Sequence, residues 1–106
     1  MRLADVAPDF AAEVAAALES EGFSQLYAKV YEASVERWTW DHRANAGYIY
    51  VAQAKSLHHS ETPAAETIAF ADPHWFNVDL RSNGDIFGIE LLGRREIIER
   101  LESRAP

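Results

Sequence analysis

Trp75-Phe76-Asn77-Val78-Asp79-Leu80-Arg81-Ser82-Asn83-Gly84-Asp85-Ile86-Phe87-Gly88-Ile89-Glu90-Leu91-Leu92 is the stretch that decides the fold. Two runs rich in aromatic and β-branched residues, 75–81 and 85–92, flank Ser82-Asn83-Gly84. Asn-Gly between such runs is the strongest short-range signal for a β-hairpin, because both residues tolerate positive φ. Alternation places Phe76, Val78 and Leu80 on one face of the first strand, and Phe87, Ile89 and Leu91 on one face of the second. Asn77, Asp79 and Arg81, with Gly88 and Glu90, make the other face more polar, the pattern of an antiparallel sheet covered on one side.

Working outward, residues 66–71 (ETIAFA) predict a further strand that ends at the Asp72-Pro73 turn, and residues 54–63 (AKSLHHSETP) predict a surface loop closed by Pro63. Residues 34–40 and 47–53, carrying Val35, Trp38, Trp40, Tyr48, Ile49, Tyr50 and Val51, predict a second hairpin around the polar connection 41–47. Upstream the period is helical. Pro8 suits a first helical position, Phe10, Val14 and Leu18 recur every four residues, and Gly22 stops a helix over 8–21. A second helix is expected from Ser24, as its cap, to about Glu32. Beyond Gly93, residues 94–103 predict a last helix with Ile97, Ile98 and Leu101 inward. The expected fold is therefore α+β: an antiparallel sheet of four to five strands, with an N-terminal helical hairpin and a C-terminal helix packed on one face. Exposed sheet edges would offer places to add a strand, from a partner or from a second copy in a homodimer.

The bulk numbers suit this architecture. One hundred and six residues, 48% of them apolar, fit a single domain spanning 1–106 with one core. The absence of cysteine removes disulfides, thiolate nucleophiles and Cys-ligated zinc. Residues 1–7 carry Arg2 and Asp5 and no run apolar enough for a signal peptide, so a cytoplasmic location is expected. The net charge is −7. Residues 1–36 hold seven acids against Arg2 and Lys29, and residues 61–90 hold six against Arg81. Such a field repels nucleic acid and anionic membranes and attracts basic proteins.

The run Trp40-Asp41-His42-Arg43-Ala44-Asn45-Ala46-Gly47-Tyr48-Ile49, with Phe76-Asn77-Val78-Asp79-Leu80 and Gly84-Asp85-Ile86-Phe87-Gly88-Ile89-Glu90-Leu91-Leu92, resembles a bacterial domain-of-unknown-function family. Its members read Tyr-Asp, a short acidic turn and Ala-Leu-Tyr-Ile, then a strand, Asp-Gly and Gly-Ile-Glu-Ile-Leu. The helical hairpin before the sheet and the helix after it also resemble uncharacterised small actinobacterial proteins. Trp40 stands at the family's tyrosine, Asn45 at its second aspartate and Gly47 at its leucine. Some members are similar to partner genes of small toxin-like proteins, so the resemblance implies an antitoxin or immunity role.

His58, His59, Glu61 and His74 are the candidate metal ligands, since imidazole and carboxylate are common zinc and nickel donors, although their spacing matches no recognised site. Asp41-His42 sits at a strand end without a serine motif to activate, and turn chemistry accounts for Asp41. Glu90, on the polar face beside Gly88, calls for a partner such as Arg37 or Arg81. Trp38, Trp40, Trp75 and Phe76 suit either the core or a contact patch; Trp38 and Trp40 share one face of their hairpin, Tyr48 and Tyr50 the other. No phosphate-binding glycine loop, catalytic motif or cofactor signature is present. The expected function is a non-catalytic domain that binds a basic protein through Trp38, Trp40, Tyr48, Tyr50, Asp79 and Glu90. The alternative is a small-ligand or metal-binding protein that uses the loop histidines.

Overall fold

Five strands, β1 (Ser34–Asp41), β2 (Ala46–Ala52), β3 (Ala64–Ile68), β4 (Phe76–Arg81) and β5 (Ile86–Leu92), form one antiparallel sheet in the order β1-β2-β5-β4-β3. The structure is a computed structural model and describes residues 1–53, 64–70 and 74–105; the expected loop at 54–63 and the Asp72-Pro73 turn lie outside the described residues. Both expected hairpins are present. In the first, the Asp41 carboxylate accepts from the N–H groups of Arg43 and Ala44, which fixes the turn. In the second, Gly84 alone takes positive φ, at 88°, while its N–H donates to Arg81 O. This is a three-residue loop whose last residue is left-handed, and Asn83 instead accepts the Asp85 N–H on its side chain. Of the two residues that tolerate positive φ, only Gly84 adopts it.

A short helix, α1 (Leu3–Val6), precedes α2 (Pro8–Ser20), and buries Leu3 and Val6 against the core. Helix α2 ends in a Schellman motif: Phe23 N–H donates to Leu18 O and Gly22 N–H to Glu19 O, with Gly22 at φ 91°. Ser24 lies within a 3-10 turn, not at a cap, and α3 begins only at Tyr27 and runs to Glu32. Helix α4 (Arg95–Arg104) follows Gly93 and Arg94, both left-handed.

All four helices pack on one face of the sheet. Phe10, Val14 and Leu18 of α2, Leu26 and Val30, and Ile97, Ile98 and Leu101 of α4 meet Val35, Ile49, Val51, Ile68, Phe76, Val78, Leu80, Ile86, Ile89 and Leu91 in one core cluster. Phe10 meets Phe76 edge-on at 5.6 Å, an arrangement that adds about 1 kcal/mol beyond its buried area.

Two irregularities shape the sheet. At Asp79 the β4–β5 register passes from Gly88 to Ile86 on the next residue, so Phe87 is an extra residue, a β-bulge. Alternation expects Phe87 on the core face with Ile89 and Leu91; the bulge turns it to the opposite face, and Ile86 takes the core position. Strands β2 and β5 pair only as far as Tyr50 and Gly88. Past that point two buried polar side chains span the gap: Arg81 donates to Val51 O, and Gln53 accepts from Ile86 N and donates to Lys29 O. Buried backbone groups require such partners, which is why these two polar residues are buried.

Asp9, in the first turn of α2, receives both oxygens' hydrogen bonds from the Arg100 guanidinium of α4, and this bond lowers its carboxyl from 3.8 to about 2. A depressed folded-state value adds stability above the ordinary carboxylate range that is lost as pH falls towards 2. Arg100→Gln is expected to return the Asp9 carboxyl to near its ordinary value, as read by an NMR titration of the side-chain carbon, and to remove this share of acid stability.

Candidate functional site

On the face opposite the helices, register places two rows of side chains across the sheet. One runs Arg37, Tyr50, Gly88, Asp79, Thr67, and the other Thr39, Tyr48, Glu90, Asn77. Because Gly88 has no side chain, the Tyr48 ring lies directly over its backbone; a Cβ built on Gly88 would fall 2.2 Å from Tyr48 Cε1. From there the Tyr48 hydroxyl reaches across β5 and donates to Asp79 Oδ2, while Thr67 donates to Asp79 Oδ1 at 2.6 Å. Burial, and then the Asp79 carboxylate accepting its proton, push the Tyr48 phenol well above its ordinary range.

Around this anchor the aromatics meet. Tyr48 and Tyr50 rings lie 4.6 Å apart, and Phe87 sits 6.2 Å from Tyr48 and 5.9 Å from Tyr50. Two guanidiniums lie over these rings, Arg37 over Tyr50 at 3.7 Å and Arg81 over Phe87 at 4.8 Å. All three rings are half-buried, and among the described residues no helix lies on them. Glu90 accepts from Asn77 at 3.1 Å, where Arg37 or Arg81 was the expected partner. Both arginines are stacked on aromatic rings instead.

The six residues expected to bind a partner thus divide between faces. Tyr48, Tyr50, Asp79 and Glu90 assemble on the helix-free face. Trp38 and Trp40 lie on the helix side, half-buried against the core, with Arg95 of α4 over Trp40 at 5.2 Å. Trp40 repeats the Tyr48 device on that face, its ring resting on Gly47 across the β1–β2 pair. Phe87 joins the cluster although alternation does not place it there. The signal for it was Gly88, since a glycine inside a strand often marks a bulge.

Among the candidate metal ligands, His58, His59 and Glu61 lie outside the described residues. His74 Nδ1 is 3.3 Å from Glu13, and Arg94 donates to Glu13 and to His74 O at 3.0 and 3.1 Å. His74 also packs beside Phe70 and Phe76. These bonds tie the entrance of β4 to α2 and to the left-handed residue before α4, a fastening role. No group of three or more His, Asp or Glu residues positioned to hold a metal occurs among the described residues. No described helix is long and apolar enough to cross a membrane. Trp75, with φ 64°, is 62% exposed.

Comparison with models of known protein families, with curated proteins and with solved structures finds no match to this chain.

Two substitutions probe the anchor. Gly88→Ala forces the Tyr48 ring off the strand and is expected to cost about 1–3 kcal/mol in urea unfolding. Tyr48→Phe removes a hydrogen bond to a carboxylate and is expected to cost about 1–3 kcal/mol near neutral pH. A phenol whose folded-state value is raised contributes stability that is complete below the ordinary value of 10.0 and declines above it. In alkaline titration the wild type should therefore lose stability above pH 10.0 more steeply than Tyr48→Phe, with one phenolate signal delayed in the wild type alone.

Proposed function

We propose that this chain is a non-catalytic binding domain of the cytoplasm that docks a basic protein on the helix-free face of its sheet, as an immunity or antitoxin-type inhibitor does. The observation that carries the reading is the Tyr48–Tyr50–Phe87 cluster. Three touching rings, half-buried and held by a hydrogen-bonded rim of Asp79, Thr67, Asn77 and Glu90, have the anatomy of an interface centre: aromatic anchors inside, polar groups around them. Tyr48 is anchored on Asp79 and packs against Tyr50 and Phe87, an arrangement that reduces the ordering cost of association.

Charge complements this picture from a distance. Next to the ring cluster Asp79 and Glu90 stand against Arg37 and Arg81, so the cluster's immediate surround does not repel either sign strongly. The field comes from the whole chain at −7, and it speeds encounter with a cationic partner. The resemblance of the Trp40 and Gly84 motifs to a family with toxin-like gene neighbours supports the same class of partner.

Affinity capture from the native host, with the captured protein then purified and titrated against defined variants, tests the reading. Tyr50→Ala and Phe87→Ala are expected to weaken binding about tenfold or more each, close to 1.4 kcal/mol, with folding checked by circular dichroism. Glu102→Ala, on the outer side of α4, is expected to leave affinity unchanged. The association rate should fall as salt is raised. Equal affinity for wild type, Tyr50→Ala and Phe87→Ala would reject this face as the contact.

A further inference from the structure

Strand β1 is an edge of the sheet, and its first residues already carry an added partner: Arg2 bridges Ser34, and Val35 N–H donates to Met1 O at 2.7 Å. The N–H of Val35 therefore points outward. A bulge at Glu36 follows, between the Val35–Val51 and Arg37–Tyr50 pairs. Alternation past it turns the N–H and C=O groups of Trp38 and Trp40 outward, beyond the reach of Met1 to Leu3. Among the described residues no strand pairs with the outer edge of this second half, whose inner edge is taken by β2.

We infer that residues 37–41 of β1 pair antiparallel with the same residues of a second copy of this chain, centred on Thr39, so that two sheets become one across a twofold axis. The side chains are self-complementary in that register. Arg37 and Asp41, both exposed and both on the helix-free face, come opposite each other twice. On the helix side Trp38 meets the second copy's Trp40, so that the half-buried indoles gain cover. The outward groups of Trp38 face those of Trp40, the pairing that antiparallel hydrogen bonding requires. The Asp41 Oδ1 already holds the turn, leaving Oδ2 for arginine.

Like net charge opposes this contact, but at physiological ionic strength the screening length is about 8 Å, short against principal extents of 32 × 31 × 24 Å. The contacting Arg37–Asp41 pairs therefore decide. This interface uses the outer edge of β1 and its test reads the mass of the chain alone with no partner present, so its failure and that of the proposed partner binding are separate outcomes.

Sedimentation equilibrium of the full chain at physiological salt tests it. Wild type should show twice the monomer mass. Arg37→Glu should weaken the dimer about tenfold or more by placing like charges opposite each other, whereas Arg37→Lys should retain it. Asp41→Arg alone should be monomeric, and mixing it with Arg37→Glu should restore a dimer, because each variant then supplies the other's missing charge. If Asp41→Arg fails to fold, the contrast between Arg37→Glu and Arg37→Lys decides. A wild type that stays monomeric up to its solubility limit, or an Arg37→Glu chain as dimeric as wild type, overturns the inference.

Discussion

The Tyr48 ring rests on bare backbone, and the helix-free face is organised around that contact. Gly88 leaves a gap one side chain wide in the middle of β5, and Tyr48 fills it from the neighbouring strand. Lying flat, the ring cannot point to solvent, so its hydroxyl ends within reach of Asp79 on β4. Three central strands are tied together by one side chain as a result. The same flat posture sets the ring at a tilt to Tyr50 and roughly edge-to-face with Phe87, and so creates the cluster.

The bulge at Phe87 is the second condition. Without an extra residue there, alternation would send Phe87 into the core beside Ile89 and Leu91 in place of Ile86, and the helix-free face would hold two tyrosines and no third ring. The bulge also ends the β2–β5 ladder early. Arg81 and Gln53 close that opening with side-chain bonds, and Arg81 then lies over Phe87. Core packing, ladder ending and aromatic cluster thus have a common origin in a Phe-Gly pair.

Much of this was legible in the residues. The hairpins around 41–47 and 82–84, the helix over Phe10, Val14 and Leu18, and the α+β layering follow from turn chemistry and from the change of hydrophobic period. The separation of Trp38 and Trp40 from Tyr48 and Tyr50 follows from strict alternation. What was hidden depended on an odd residue. Periodicity assumes that strands have no insertions, so it placed Phe87 on the wrong face, and it saw Glu90 as a charge seeking arginine when Asn77 lies directly across from it. Helix α1 escaped because four residues offer only Leu3 and Val6 as a pattern. Ser24 looked like a cap because cap residues are recognised by type, whereas Phe23, which closes the Schellman ending of α2, holds the cap position and Ser24 already lies inside the 3-10 turn.

The aromatic cluster depends on where the Phe87 ring lies, and solution NMR reads that directly. Nuclear Overhauser contacts from the Phe87 ring protons to those of Tyr48 and Tyr50, with none to Ile97 or Leu101, are the predicted result. Contacts from Phe87 to the methyl groups of Ile97 and Leu101, with Ile86 turned to the face of the tyrosines, would contradict it.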